Sequence, residues 1–184
     1  MHDYEFRPCR PEEAAEVFRL IRERTRWMDE VGIRQWNHTD YLNVFPLSYY
    51  EEQQAEGTLY ALCERQTGKL AAAAVLLTED ERWQGDTAPA LYIHNLVGAP
   101  DCPGAGKEFL RRTEEMALRM GKRYLRLDST RDNEALTAYY ERYGFQPAGE
   151  CALGTYEGTL RQKPLASWSP KNSAPPPASR RDGA

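Results

Sequence analysis

A chain of 184 residues, 41% hydrophobic and 28% charged, has the material for one globular domain and not comfortably two. Its 24 Lys+Arg and 28 Asp+Glu are interspersed and leave a net charge of -4, so no basic footprint for nucleic acid exists. The charged start "MHDYEFRPCRPEE" does not read as a secretory signal and no apolar run approaches the ~18 residues of a membrane span, which predicts a cytoplasmic protein with no membrane partner.

Taken in chain order, "DYEFRPC" alternates as a short first strand. Pro11, Glu12 and Glu13 then open a helix whose apolar positions Ala14, Val17, Phe18, Ile21, Thr25 and Met28 recur at helical spacing until Gly32. "TDYLNVFPLSYYEEQQAEG" is interrupted by Pro46 and reads as one or two short helices. "TLYALCE" and "KLAAAAVLLT" form a strand pair, and "ALYIHNLV" is a further buried strand. After a glycine turn, Phe109, Leu110, Thr113, Met116, Ala117 and Met120 share one helix face. "RYLRLDS" is a strand, "DNEALTAYYERYG" a helix stopped by Gly144, and "FQPAGECA" with "TYEGTLRQK" a closing strand pair. The expected fold is α/β, an α+β mixed sheet of about seven strands and four helices. The expected domain covers residues 1–163, and the Pro/Ser/Ala-rich segment 164–184 is expected to be a disordered tail. Cys9, Cys63, Cys102 and Cys151 are widely spaced, with no clustered histidine, so neither a metal site nor a disulfide framework is expected.

Two stretches carry chemistry. In "GAPDCPGAGKEF" glycines precede a helix. A nucleotide-triphosphate loop needs a hydroxyl after Gly106-Lys107, where Glu108 stands, and a dinucleotide fingerprint needs a third glycine where Phe109 stands. What remains is a short turn whose backbone N–H groups and helix N-terminus cradle a pyrophosphate, or else a tight strand-to-helix connection. The second stretch, "LRLDSTRDNEALTAYYERYGF", sets Asn133, Leu136, Tyr140, Gly144 and Phe145 at fixed offsets on a strand-helix-turn unit. Steps of three and four residues place Asn133, Leu136, Tyr140 and Tyr143 on one helix stripe, which by itself also suits plain aromatic packing.

Together the two stretches resemble the GNAT superfamily of acyl-CoA N-acyltransferases. Its glycine signature Q/R-x-x-G-x-G/A is matched here by Gly104 and Gly106, with Asp101 in place of the Arg or Gln. The second motif, N-x-x-A/L-x-x-x-Y-x-x-x-G-F, is matched throughout. "GIRQW" after the first helix is similar too.

The resemblance implies an N-acetyltransferase that moves acetyl from acetyl-CoA, its co-substrate, to a primary amine of a small molecule or amino-acid-like acceptor. It implies no metal and, as a family expectation, a homodimer. Implied cofactor contacts are the Leu96, Val97 and Gly98 backbone, the turn of Cys102, Pro103, Gly104, Ala105, Gly106 and Lys107, whose backbone N–H groups would hold the pyrophosphate, and Asn133, Leu136, Tyr140 and Tyr143. Tyr140 is the implied general acid for the leaving thiolate, since a phenol of pKa near ~10 stays protonated at neutral pH. For the base, His94 has a suitable pKa near ~6.5, and Asp128, Glu81 or a water chain are alternatives. Acceptor contacts are expected from Trp27, Glu30 and Trp36 after the first helix and from Glu81 and Trp83 in the acidic loop, where carboxylates beside rings attract a cationic amine. A non-catalytic acyl-CoA-binding protein of the same fold is the alternative, sustained by Asp101 and by a turn from Val97 about two residues shorter than is common in that family.

Overall fold

The computed structural model describes residues 3–83 and 85–166. Strands β1 (Tyr4–Pro8), β2 (Leu59–Glu64), β3 (Leu70–Leu77), β4 (Ala90–Gly98), β5 (Tyr124–Thr130), β6 (Gln146–Leu153) and β7 (Tyr156–Pro164) form one seven-stranded sheet in the order β1-β2-β3-β4-β5-β7-β6. Helices are α1 (Glu13–Val31), α2 (Tyr41–Val44), α3 (Leu47–Ala55), α4 (Ala105–Arg119) and α5 (Glu134–Arg142). The count exceeds the expected four because Pro46 separates the one-turn α2 from α3. β7 reaches Pro164, and the Leu165 N–H donates to Arg123 O at 2.8 Å. The expectation of a disordered tail falls, beyond Ala166, outside the described residues.

Strand β3 is buried at every position but its last because α1 and α4 pack on it from opposite faces. That explains its unalternating alanines: both faces are interior, and small side chains let two helices approach. Phe109 and Ile21, both fully buried, are the principal apolar side chains that these helices deliver. β4 and β5, joined through α4, are the sheet's one parallel pair among the described residues.

The start of α1 is pinned by Glu13. Its carboxylate accepts two bonds of 2.7 Å from the Arg7 guanidinium and one of 2.7 Å from the Arg10 N–H. The Arg7 bonds hold the Glu13 carboxyl below its ordinary pKa against the opposing effect of burial. A carboxyl depressed by folding contributes stability above its unfolded pKa of ~4.3, and that contribution is lost as pH falls through the lower folded value. Glu13→Gln should therefore cost about 2 kcal/mol at neutral pH. In denaturant melts repeated at falling pH, the gap to the parent should close below about pH 4, as the parent's own carboxylate protonates.

Candidate active site

The site begins with a defect in the sheet. Ala73 pairs with Val97 and Val75 with His94, so Asn95 and Leu96 together oppose Ala74 as a bulge in β4. Asn95 takes a left-handed backbone, φ 56°, the only described non-glycine residue to do so. Its carboxamide is clamped: Nδ2 donates to the Tyr41 hydroxyl, and Oδ1 accepts from the Tyr49 hydroxyl at 3.2 Å. A bulge adds twist, and β4 duly leaves β5. The two pair only at Ala90↔Tyr124, Leu91↔Leu125 and Tyr92↔Arg126, after which β4 runs on to Gly98 and β5 to Thr130 on diverging paths.

The divergence opens a cavity of about 940 Å³, lined on one side by Leu96, Val97 and Gly98 and on the other by Leu127, Asp128 and Ser129. At one end lies the turn into α4. Gly104 is the residue before the helix, with φ 86°, a conformation that glycine adopts without a side-chain clash. At Gly106 an added Cβ would stand 3.3 Å from the Tyr139 hydroxyl. Between the diverging strands stands Tyr140 of α5, a cavity-lining residue whose ring packs edge-on against Tyr139 and Phe145. Its hydroxyl has no hydrogen-bond partner among the described residues, and burial raises its pKa above the ordinary phenol value.

A bulged strand, a splayed parallel pair, a left-handed glycine before α4 and a tyrosine between the strands match one family. The family model described as acetyltransferase (GNAT) family covers residues 20–145. The chain belongs to the GNAT acetyltransferase family.

Solved GNAT structures agree with the fold. A GNAT acetyltransferase from Listeria monocytogenes is 26% identical, with a TM-score of 0.71 over 88% of this chain and 95% of its own. One from Streptococcus agalactiae is 20% identical, with a TM-score of 0.73 over 89% and 96%. The PaiA N-acetyltransferase of Thermoplasma acidophilum, in complex with coenzyme A, is 14% identical, with a TM-score of 0.67 over 88% and 99%. No curated protein sequence matches the chain.

The expected cofactor residues divide. Leu96, Val97, Gly98, Cys102, Pro103, Gly104, Gly106, Asn133, Leu136 and Tyr140 line this GNAT chain's cavity, whereas Ala105, Lys107 and Tyr143 do not. Three residues of the turn offer no free N–H group. That of Cys102 donates to Ala99 O, that of Ala105 donates to Cys102 O, and Pro103 has none, which leaves Gly104, Gly106 and Lys107 at the helix start. Asn133 caps α5: Oδ1 accepts from the Leu136 N–H at 2.9 Å and Nδ2 donates to Gln35 Oε1 at 3.3 Å. Tyr143 ends α5 outside the cavity, and Tyr139 takes its place because α5 meets the glycine turn with that side. Burial pushes the Tyr139 phenol up to about 12.

Asp101, the departure from the family signature, is turned outward to an exposed ion pair with Lys69 at 2.5 Å and does not line the cavity. Cys102 is buried, and burial pushes its thiol pKa up, the opposite of an activated nucleophile. The Gly98 carbonyl accepts 2.9 Å from Arg24, whose guanidinium lies 4.8 Å over the Trp27 ring.

At the other end of the cavity His94 and Asp128 are brought together by a residue the sequence did not suggest. Arg82 bonds Asp128 Oδ1 through Nη1 and lies 3.4 Å from His94 Nδ1 through Nη2. His94 Nε2 sits 3.1 Å from Asp80 Oδ2, within ion-pair range but off the axis of a ring N–H bond. Burial raises the Asp80 pKa, but His94 and the Arg82 N–H outweigh it and hold the carboxyl below its ordinary value. The second Asp128 oxygen accepts from the Tyr156 hydroxyl at 2.6 Å. Gly158 permits this approach, since a Cβ there would stand 2.7 Å from that hydroxyl.

Of the expected acceptor residues, Trp27 and Trp36 line the cavity. Glu30 and Glu81 are exposed and outside it. Trp83 is buried elsewhere, with the Arg126 guanidinium 4.2 Å over its ring. The acidic loop thus enters the site region through Asp80 and Arg82, which flank Glu81.

Proposed function

We propose that the chain is an acetyl-CoA-dependent N-acetyltransferase that acetylates a primary amine of a small molecule or amino-acid-like acceptor by direct transfer. One observation carries the reading: a Tyr140 hydroxyl without a hydrogen-bond partner among the described residues stands between two strands splayed by a bulge, with a left-handed glycine turn at one end of the cavity. The residues present suit acetyl-CoA. Gly104, Gly106 and Lys107 offer N–H groups at a helix start for the pyrophosphate, and the unpaired edge of β4 beyond Tyr92 offers backbone for the pantetheine arm. When bound, acetyl-CoA supplies the acetyl group and a thiolate leaving group. That a similar fold from Thermoplasma acidophilum was solved with coenzyme A supports the assignment.

The chain's own residues then act in three places. The Asn95–Leu96 bulge directs a backbone N–H at the thioester carbonyl, where negative charge develops as the amine nitrogen bonds to the carbonyl carbon. Tyr140 gives its proton to the sulfur as the C–S bond breaks and is reprotonated, through cavity water, by the proton that the attacking nitrogen sheds on becoming the amide. Asp128, oriented by Arg82 and Tyr156, receives the acceptor ammonium, whose proton leaves through cavity water before attack. His94 faces Arg82 and Asp80 and so serves to position Arg82. With Asp101 turned away to Lys69, that departure from the signature gives no support to a non-catalytic acyl-CoA-binding protein.

Titration calorimetry with acetyl-CoA, with free CoA alongside, tests the reading. Saturable micromolar binding is expected, and Gly104→Glu, which strains a left-handed position and sets a carboxylate against a pyrophosphate, should weaken it by at least about tenfold. Absence of binding up to millimolar would overturn the acetyltransferase reading and leave the fold alone.

A further inference from the structure

Resting on that acetyl-transfer reading, we propose that the acceptor is a primary amine on an apolar body without a carboxylate, an arylalkyl- or alkylamine. The first argument is charge. Besides His94, the ionic side chains that line the cavity are Arg24, Asp40, Arg82 and Asp128. Arg24 is engaged with the Gly98 carbonyl and the Trp27 ring, on the glycine-turn side. Arg82 is shared between two carboxylates, bonded to Asp128 and with its Nε 3.8 Å from Asp80. One guanidinium against two carboxylates, with the His94 ring 3.1 Å from Asp80, leaves no uncommitted cation among the described residues at this end for a substrate carboxylate. An acceptor's ammonium is stabilised there, and an α-carboxylate would be desolvated without a partner.

The second argument is the wall. Among the described residues five large apolar side chains are exposed, and three of them, Trp27, Val44 and Leu153, line this one cavity. Val44 and Leu153 are 47% and 57% exposed, and the two come from separate elements, α2 and the tip of the β6–β7 hairpin. Behind Val44 the rings of Trp36, Tyr41 and Phe45 follow one another at 4.6 and 4.9 Å. Apolar surface left in water at the mouth of a pocket whose inner carboxylate is Asp128 is the pattern of a site that takes an apolar body by one polar head. Asp40, the other lining carboxylate, accepts 2.6 Å from Asn43 and is exposed.

Thiol release by the full chain with acetyl-CoA should be followed for 2-phenylethylamine, phenylalanine, putrescine and a short peptide with a free N-terminus. kcat/KM for 2-phenylethylamine should exceed each of the others by at least about tenfold, since each competitor brings either an unmatched charge or less apolar contact. Leu153→Lys, at an exposed hairpin tip, should narrow the gap to phenylalanine about tenfold or more by supplying a cation, with acetyl-CoA affinity by calorimetry unchanged. Equal or faster turnover of phenylalanine, putrescine or the peptide would overturn the proposal, as would acetyl-CoA binding without turnover of any of the four. Failure to bind acetyl-CoA would instead remove the acetyl-transfer reading on which it rests.

Discussion

Replacing Tyr140 by Phe should lower kcat by about 10²–10⁴-fold while acetyl-CoA affinity stays unchanged. The substitution is a clean one because the Tyr140 hydroxyl has no partner among the described residues, so its removal leaves no buried group unsatisfied. The ring keeps its edge-on contacts with Tyr139 and Phe145, at centroid distances of 5.4 and 5.7 Å, and the fold should melt as the parent does. What is lost is the proton for the departing thiolate. Since burial raises the Tyr140 pKa above the ordinary ~10, the acid form persists across the neutral and mildly alkaline range, and the parent's kcat should show no alkaline limb from this group below about pH 10. Steady-state thiol release from pH 6 to 10, with calorimetry on the variant, measures both. An unchanged kcat in Tyr140→Phe would remove the tyrosine from the chemistry.

Asn95→Gly should lower kcat by about tenfold to a hundredfold with little change in the affinity for free CoA. Glycine keeps the left-handed backbone at φ 56° without strain, so the variant removes only the carboxamide held by Tyr41 and Tyr49. Asn95→Ala loses the clamp and also bears the left-handed strain, and should be the less stable of the two by roughly 1 kcal/mol. The physical content is rigidity. A backbone N–H polarises a carbonyl only if it is held at the place where charge develops, and the clamp ties the bulge to α2 and α3. The bound thioester's carbonyl stretch or ¹³C shift should move towards its solution value in Asn95→Gly. A merely structural role would lower the melting temperature and leave that signal in place.

Much of this was legible along the chain. The order of elements follows from periodicity and punctuation: Gly32 stops α1 with a left-handed cap, and Pro46 parts two helices. The glycine turn and the Asn133-to-Phe145 run announce the cofactor end because those roles depend on local backbone geometry, which spacing specifies. Acceptor residues were harder. Glu81 and Trp83 are the conspicuous side chains of the acidic loop, yet that loop's 3-10 turn buries Trp83 against Arg126 and leaves Glu81 outside, presenting Arg82 instead. Spacing puts Tyr143 on the α5 stripe, but the stripe that matters is the one facing Gly106, and only the packing of α5 on the sheet selects Tyr139. Asn95 left one trace in sequence, a polar residue beside His94 in an otherwise apolar strand.

By itself, then, the sequence determined the fold class, the glycine turn, the helix that carries Tyr140 and the family, since each is written in contacts between residues a few positions apart. The tertiary structure alone decided which way β4 turns after Tyr92, that Asp101 faces Lys69, and that Arg82 joins Asp128 to His94 while Tyr156 closes on Asp128 from β7. Those pairings span from 12 to 46 positions of chain, and no local propensity encodes which of several equally polar side chains will meet once the sheet closes around them.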